Sequence, residues 1–505
     1  MTGQEPGRAS RGAASRPRSE RQRSPQPLVR RRLPSGRGAM EQPNITSDGG
    51  EILTLRFWVM VVLTGVVTGL AGAALMALLF NVQYLAFGYH AGSLEAAAEH
   101  APALRRVASL LIAGAFGGVA WFLLRRYTQG EHSEIDEAIW NGDGTLSFRR
   151  SLGTSVISEI VIGMGASIGR EAAPKLMGGA SASVLAGWTG MSSQQRRLLV
   201  ACGGGAGFAA VYNVPLAGAL FTAEILIGSI SLPVMLPALA CSWTATATAW
   251  IYLPDRATYV GIPDYRFTGS LMTWALLAGP VIGLLAAGYI RLIGWVSHHH
   301  AAGRAALFAP LAAFGILGVI GIWYPELFGN GKDMARDAFL GIGTISLFLA
   351  LGTLKPLVTA LCLGSGASGG LFTPTLSTGA VLGGALGMAW SLAWPGSPSG
   401  AFAMIGAAAM IGAAMQAPLS GLALVLELTH SGFAIMVPMI AATVIATAVA
   451  FYIDGYSIYS ARLPSQPTAR RPARHDASPA RSPGHHAPGD GHEGGGEQVS
   501  RGPVN

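Results

Sequence analysis

Two glycine-rich segments about 200 residues apart have the composition of anion-binding turns. They are GASIGREAAP at residues 165–174 and GSGASGGLFTP at residues 364–374, and an apolar stretch follows each of them. Glycine lets the backbone approach a ligand closely, and a helix that begins after such a turn presents unpaired N–H groups and a partial positive charge. That arrangement binds an anion without a lysine and still releases it. The same glycines would also permit close helix packing, but their presence in two similar turns favours an ion site.

The first turn also contains a carboxylate, Glu171. An ionisable side chain in an apolar part of a membrane protein is costly and marks a functional site by default. Beside a helix N-terminus, Glu171 would occupy the place of an anion, and protonation would let it swing away. We therefore expect Glu171 to act as a gate and as a proton carrier. The alternative is a salt bridge with Arg170 or another cation.

The second turn allows a different chemistry. Residues 366–369 read GASG, which matches the GxSG of rhomboid-like intramembrane proteases and makes Ser368 a candidate nucleophile. A serine nucleophile needs a general base within about 3 Å. The histidine near a later apolar span is His430, at its polar end. An intramembrane serine protease is therefore the alternative function, to be identified by dependence of activity on both residues. We expect no enzymatic activity, catalytic residue, metal or cofactor.

The composition indicates that lipid surrounds most of the chain. Of 505 residues, 50% are hydrophobic and 12% are charged, whereas a soluble domain has about 25% charged residues. The net charge is +8, and arginines are concentrated near both ends of the chain. A basic protein can bind nucleic acid, but basic segments that flank an apolar core instead indicate the cytoplasmic side of a membrane. We expect a lipid bilayer as a partner and no nucleic acid.

The sequence divides into a membrane domain and two polar tails. Residues 1–50 are predicted to form a disordered basic cytoplasmic tail, and residues 464–505 a disordered tail rich in Pro, Gly, His and Arg. Between them lies a series of apolar spans, several of which are shorter than the roughly 20 residues of a simple spanning helix. Residues 339–352 and 356–363, for example, are predicted as separate short spans. Short and broken helices are typical of transporters whose binding site lies between half-helices.

An internal repeat supports this interpretation. Residues 213–224 read NVPLAGALFTAE and residues 416–427 read QAPLSGLALVLE, at nearly the same offset as the two glycine-rich turns. Matched pairs of interrupted helices indicate two pseudo-symmetric halves, here about 55–255 and 270–463. Glu224 and Glu427 have equivalent places in the repeat, and we expect them to satisfy backbone groups or nearby hydroxyls.

With these motifs in view, the chain resembles the CLC family of chloride channels and chloride/proton antiporters. The likeness covers about residues 55–463 and is carried by four segments. They are GSGASGGLFTP at 364–374, GREAAPK at 169–175, AGFAAVYNVPLAGALFTAE at 206–224, and YSIY at 456–459.

The resemblance implies a set of site residues. Glu171 falls on the gating glutamate, and Arg170 and Gly130 are also assigned to the anion path. The backbone amides of Leu371 and Phe372, next to Gly370, are expected to coordinate the central anion together with the hydroxyl of Tyr459.

Three positions depart from the family pattern. Ala172 and Ala173 precede Pro174 where relatives have Gly-Pro. The first anion motif, GSGIP, has no clear copy, and counting back from Glu171 places it at Gly130. Many antiporters have a second, inner proton-accepting glutamate directly after the position of Glu224, and here that position is Ile225. Isoleucine cannot titrate, so protons would need water or another acid.

The family likeness also implies the overall organisation. We expect an all-α integral membrane protein with the CLC-type fold of two inverted-topology repeats with broken, tilted helices, without paired CBS domains. It would form a homodimer with one pore per subunit in the cell membrane, multi-pass, with both termini cytoplasmic. Chloride or another small anion is the expected substrate and protons are a possible one, since the sequence does not separate a channel from a proton-coupled antiporter.

Overall fold

Seventeen α-helices account for most of residues 52–89, 92–128 and 134–463, the part of the chain that the computed structural model describes. The first half contains α1 Leu55–Phe87, α2 Leu94–His100, α3 Ala103–Tyr127, α4 Ile135–Trp140, α5 Phe148–Gly163, α6 Ala172–Trp188, α7 Ser193–Tyr212, α8 Pro215–Phe221 and α9 Leu232–Ala249. The second half contains α10 Gly269–His298, α11 Ala305–Ile320, α12 Lys332–Leu340, α13 Ile345–Gly364, α14 Phe372–Ser391, α15 Ser399–Met415, α16 Pro418–Thr429 and α17 Met436–Ile453. Gly130 and both predicted tails lie outside the described residues.

Six helical segments of the described chain are long and apolar enough to cross a membrane. They are Leu55–Phe87, Ala103–Tyr127, Leu232–Ala249, Gly269–His298, Ile345–Gly364 and Phe433–Ile453. Each is at least 18 residues long, and a spanning helix needs about 17–25 residues. Shorter apolar helices, including α8 and α16, pack among them. This combination of full spans and half-length helices makes the protein a multi-pass membrane protein.

One prediction about these spans is wrong. Residues 339–352 and 356–363 were expected as two short segments, but α13 runs without a break from Ile345 to Gly364 and contains Pro356. Proline removes one backbone hydrogen bond, yet its fixed φ is compatible with a helix. Neighbouring helices in a membrane protein support such a position, so the helix continues through it.

The helices of the two halves are interrupted at matching places. Asn213 directly follows α7 with φ 58°, and Gln416 directly follows α15 with φ 55°. Both residues have a left-handed backbone conformation although neither is glycine. Two residues after each of them, a proline starts the next helix, α8 or α16. Because proline disfavours a helical conformation in the preceding residue, a turn is forced at both places. The repeat seen in the sequence is therefore also a repeat in backbone conformation.

The two halves also share a close helix crossing. Helix α6 crosses α7 at Gly178 and Gly203, and α14 crosses α15 at Gly379 and Gly406. A Cβ on Gly178 would lie 2.0 Å from the Gly203 carbonyl oxygen, and one on Gly379 would lie 2.6 Å from the Gly406 oxygen. Here glycine serves close packing, as in other membrane helices.

Two glutamates join the halves by capping each other's short helices. The Glu427 carboxylate accepts the N–H groups of Leu216 and Ala217 at 3.0 and 2.6 Å, at the start of α8. The Glu224 carboxylate accepts the N–H groups of Leu419 and Ser420 at 3.2 and 2.7 Å, at the start of α16. These are N–H groups that a helix leaves without partners, at its positive end. The prediction that both acids satisfy backbone groups is confirmed.

Removing one of these caps should lower stability. We expect Glu427→Ala to lower the free energy of unfolding by about 1–2 kcal/mol, because two N–H groups lose a charged acceptor. Glu224→Ala should have a similar effect on the other helix. Thermal unfolding of the purified protein in detergent measures both, and an unchanged midpoint for both variants would show that the caps are dispensable.

Candidate functional site

The two glycine-rich turns meet in the interior and pair through their backbones. Gly169 and Gly370 each donate an N–H to the carbonyl oxygen of the other, both at 2.7 Å. Helix α6 begins at Ala172, near the end of the first glycine-rich segment, and α14 begins at Phe372, near the end of the second. The structure therefore brings one helix N-terminus from each half to the same place, as the repeat predicted.

Glu171 lies at the start of α6 and reaches across to the start of α14. It is 4% exposed, and its Oε1 accepts the Phe372 N–H at 2.8 Å. A Cβ on Gly169 or on Gly370 would lie 2.1 or 2.0 Å from the same oxygen. A side chain at either position would therefore displace the Glu171 carboxylate from this place. The side chain that the sequence identified as a gate stands at the helix N-terminus of the other half.

Two hydroxyl groups and an amide complete the surroundings of Glu171. The hydroxyls of Tyr212 and Thr373 each lie 3.1 Å from Oε2, and they are 2.6 Å from each other. Asn330 donates its side-chain amide to the Tyr212 hydroxyl at 3.3 Å. Sequence reasoning did not single out any of these three residues. Thr373 lies within the second turn and Tyr212 within a family-like segment, but nothing in either segment indicates that the side chain meets Glu171.

Arg170 is not a partner of Glu171. Its guanidinium lies 5.0 Å from the centre of the Tyr212 ring and 5.7 Å from that of Phe80. These are cation–π distances. Within the described residues Glu171 is held by an N–H group and by hydroxyls, so the alternative of a salt bridge with Arg170 is wrong. The predicted role of Arg170 at the anion stays a prediction.

The two hydroxyls should stabilise the Glu171 carboxylate in the anion site, and removal of one hydroxyl should make it easier for the side chain to leave. Tyr212→Phe keeps the buried ring and deletes one hydrogen bond to the Glu171 carboxylate. Since a hydrogen bond to a charged group contributes about 1.5–3 kcal/mol, we expect anion flux at neutral pH to rise by roughly tenfold or more. Chloride release from vesicles, followed against pH, measures the effect.

Tyr265 provides the control for this variant. Its hydroxyl donates to the Phe339 carbonyl oxygen at 2.6 Å and is not a partner of Glu171. Tyr265→Phe should therefore leave the pH dependence of flux unchanged. Equal flux in Tyr212→Phe and the wild type at every pH would contradict a holding role for the hydroxyl.

A pocket extends from Glu171 to the end of the described chain. It has about 630 Å³ of space between atoms, part of it open to solvent, and its lining includes Gly370, Leu371 and Tyr459. The Tyr459 ring packs edge-on against Phe221, with ring centres 6.1 Å apart. The predicted gate and these three predicted anion-site residues thus share one cavity, whereas Gly130 lies outside the described residues.

A lysine that was given no role in the sequence analysis lines the same cavity. The Lys175 ammonium lies 4.8 Å from the centre of the Tyr459 ring and 3.7 Å from the Asp136 carboxylate. A positive charge next to the cavity attracts anions, and its partial pairing with Asp136 weakens that attraction. An anion near Tyr459 would therefore be held without being trapped.

Two further sequence assignments have a clear structural setting. Ile225 is buried in a π-helical segment, Thr222–Ile227, that continues α8. Ser368 lines the pocket and its carbonyl oxygen accepts the Ser158 hydroxyl, whereas His430 is exposed at the end of α16. Among the described residues no hydrogen bond joins Ser368 to His430, so the serine-protease alternative has no base for its nucleophile.

A group of carboxylates outside the pocket was not singled out by the sequence. Oxygen atoms of Glu95, Glu99 and Glu326 lie within 4.8 Å of one another. Burial, followed by the charges of neighbouring acids, raises the pKa of Glu95 to about 9. Glu95 is therefore protonated at neutral pH, which removes one of the negative charges that a bound cation would need. We assign no metal to this group.

Comparison with known proteins agrees with this architecture. A voltage-gated ClC-type chloride channel, ClcB of Salmonella typhi, is 30% identical over 411 residues, which cover 79% of this chain and 96% of the relative. An H(+)/Cl(-) exchange transporter, ClcA of Salmonella arizonae, is 27% identical over 450 residues, covering 84% and 92%.

Solved structures show the same fold. A slow cyanobacterial Cl-/H+ antiporter superposes with a TM-score of 0.71 at 23% identity, over 81% of this chain and 97% of the other. A CLC-type fluoride/proton antiporter does so with a TM-score of 0.65 at 20% identity, over 80% and 97%. The family model described as "Voltage gated chloride channel" matches residues 113–451, which is more than half of the sequence. The chain therefore belongs to the voltage gated chloride channel family.

Proposed function

We propose that this protein carries chloride or similar small anions across a membrane, with Glu171 as a gate that competes with the anion. The observation that carries the proposal is the 2.8 Å hydrogen bond between the Phe372 amide and the Glu171 carboxylate. A carboxylate at a helix N-terminus occupies a place that suits an anion, and an anion would accept the same N–H group. Protonation removes the charge that favours this place, so the side chain leaves and the site opens.

The cavity beside the gate is the proposed anion path. Gly370 and Leu371 line it at one side and Tyr459 lines it at the other, with Lys175 as a nearby positive charge. The names of the relatives, which are channels and exchange transporters rather than enzymes, support chloride as the transported ion. One structural neighbour is a fluoride/proton antiporter, so the anion preference needs a direct measurement.

Anion release from vesicles tests the proposal. Purified protein is reconstituted in liposomes loaded with potassium chloride, and a chloride electrode follows release after a potassium ionophore is added. We expect release well above that of protein-free liposomes, and substitution of internal chloride by nitrate or fluoride ranks the anions. If the protein released none of these three anions, the proposal that it transports small anions would be wrong.

Proton movement separates the two modes of transport. Under an imposed chloride gradient, uphill proton movement would identify an antiporter, whereas anion release without it would identify a channel. Ile225 favours the channel slightly, because the usual inner carboxyl is missing at that position. Glu171 is compatible with both modes.

The assembly and orientation follow from the family likeness. We propose a homodimer in the cell membrane, with one anion path in each subunit and both tails on the cytoplasmic side. Subunit counting by single-molecule photobleaching tests the dimer. Accessibility of a tag on each tail in intact and permeabilised cells tests the orientation.

A further inference from the structure

A fully buried glutamate on α5 has no place in the site described so far. Glu159 is 0% exposed, and neither of its carboxylate oxygens has a hydrogen-bond partner among the described residues. Glu224 and Glu427 show what a structural acid does in this fold, since each accepts N–H groups at a helix start. Glu159 caps no helix and accepts no described hydroxyl. Within the part of the chain that the structure describes, hydrogen bonding therefore gives Glu159 no structural role.

Burial without hydrogen bonds favours the neutral acid. A carboxylate moved out of water without partners costs far more than a carboxylic acid, because the charge loses its hydration. In a membrane protein such a group is a functional-site candidate. Glu159 is thus a group that can hold a proton in the interior.

The charged neighbours of Glu159 belong to the gate. Helix α5 packs against α1, α3 and α6. Arg170 and Glu171 are the groups whose charges act on the Glu159 carboxyl. The other titratable groups on these helices include Tyr84 on α1, the arginines at both ends of α3 and Lys175 on α6. Among described residues the Arg170 Nε also has no hydrogen-bond acceptor, so Arg170 could stabilise Glu159 in its charged form.

The helix that carries Glu159 also borders the anion cavity. Thr154, Ser155 and Ser158 of α5 line the cavity that contains Glu171. The Ser155 hydroxyl donates to the Ala173 carbonyl oxygen at 3.1 Å, and the Ser158 hydroxyl donates to that of Ser368 at 2.7 Å. These bonds fix α5 to both turns of the gate, and Glu159 directly follows Ser158. Glu159 is therefore carried by a helix that is hydrogen-bonded to both turns beside the gate.

We propose that Glu159 is a second proton-binding carboxyl, which exchanges protons with Glu171 and takes the part of the acid that is missing at Ile225. The inference rests on the proposed function, in its proton-coupled form. Its basis is the combination of complete burial, absent partners among the described residues, and a place on the helix whose hydroxyls line the cavity that contains Glu171.

The proton transfer balances without any other reactant than solvent protons. The O–H bond of neutral Glu159 breaks, and the proton binds the Glu171 carboxylate, which becomes neutral and leaves the anion site. The negative charge that remains on Glu159 lies near the Arg170 guanidinium. A proton from water in the cavity then restores neutral Glu159, and Glu171 releases its proton on the other side of the gate.

Parallel recording of chloride and protons tests this assignment. Liposomes with wild-type protein, Glu159→Gln or the matched control Glu427→Gln are placed in a chloride gradient, and chloride and pH electrodes record both fluxes. We expect the wild type and Glu427→Gln to move protons uphill. Glu159→Gln should retain chloride flux while its proton flux falls by about tenfold or more.

The two recordings separate failure of this inference from failure of the proposed function. Absence of chloride flux in the wild type would overturn anion transport itself. Chloride flux without proton movement in the wild type, or unchanged coupling in Glu159→Gln, would overturn the role of Glu159 alone. If Glu159→Gln does not fold, Glu159→Leu replaces it, since an apolar side chain suits this buried place. Uphill proton movement by Glu159→Leu would overturn the role of Glu159. Loss of uphill proton movement in Glu159→Leu, together with its retention in Glu159→Asp, would support that role.

Discussion

Glu171→Gln should make anion flux nearly independent of pH and abolish any proton coupling. Glutamine has almost the same shape but carries no charge, so it cannot compete with an anion for the Phe372 N–H group as the carboxylate does. A hydrogen bond to a charged group contributes about 1.5–3 kcal/mol, which predicts a rise in flux at neutral pH of roughly 10- to 100-fold. At low pH, where Glu171 itself is protonated, wild type and variant should converge. Chloride release from liposomes across a pH series measures this.

The matched control for this experiment is Glu224→Gln. It neutralises an acid of the same core, but one that caps α16 instead of meeting α14. It should keep the pH dependence of the wild type, although we expect it to be less stable. Flux through Glu171→Gln with the same pH dependence as the wild type would show that another group gates the path.

The parts of the site that lie in one segment of chain were predictable from the sequence. Gly370, Leu371 and Phe372 are consecutive, and their glycine-rich setting before a helix already indicates an exposed N–H group. Glu171 was identified because a carboxylate in an apolar setting is costly. The repeat also predicted that Glu224 and Glu427 satisfy backbone groups, although the structure was needed to show that each caps a helix of the other half.

Contacts between distant segments were not predictable in the same way. Tyr212 and Thr373 are 161 residues apart, and their hydroxyls converge on Glu171 only because the two halves cross at the gate. The sequence does not indicate which of the buried hydroxyls face a carboxylate. Glu159 differs from these residues because it stands out by having no hydrogen-bond partner among the described residues. The sequence does not show this, because it depends on how the other helices pack around α5.

The prediction of membrane spans from length and hydropathy was wrong at one place. Pro356 was interpreted as a boundary, although in α13 it is an interior residue with Lys355 beside it. A proline and a lysine together normally end an apolar span. Here Lys355 can lie inside the helix because three buried acceptors bind its ammonium. The helix therefore continues where the sequence indicated a break, because of contacts with other parts of the fold.

Lys355 connects the gate segment to the segment that follows α11. It is 0% exposed, and its ammonium donates to the Ser167 hydroxyl at 2.8 Å and to the carbonyl oxygens of Gly329 and Leu327 at 2.9 and 3.2 Å. An ammonium has three donors, so all of them are used. Ser167 lies four residues before Glu171 in the same turn. We infer that Lys355 is a positioning residue for the gate.

Lys355→Met should therefore destabilise the protein and alter gating together. Three buried acceptors lose their donor at about 1–3 kcal/mol each, and relief of the buried charge offsets part of this, so we expect a net loss of about 2 kcal/mol or more. Thermal unfolding in detergent measures the loss, and chloride release against pH measures the gate. Ser167→Ala removes one acceptor and should cost less. The double variant should be no less stable than Lys355→Met alone, because both changes remove the same bond. If Lys355→Met is as stable as the wild type and releases chloride with the same pH dependence, the three hydrogen bonds do not position the gate.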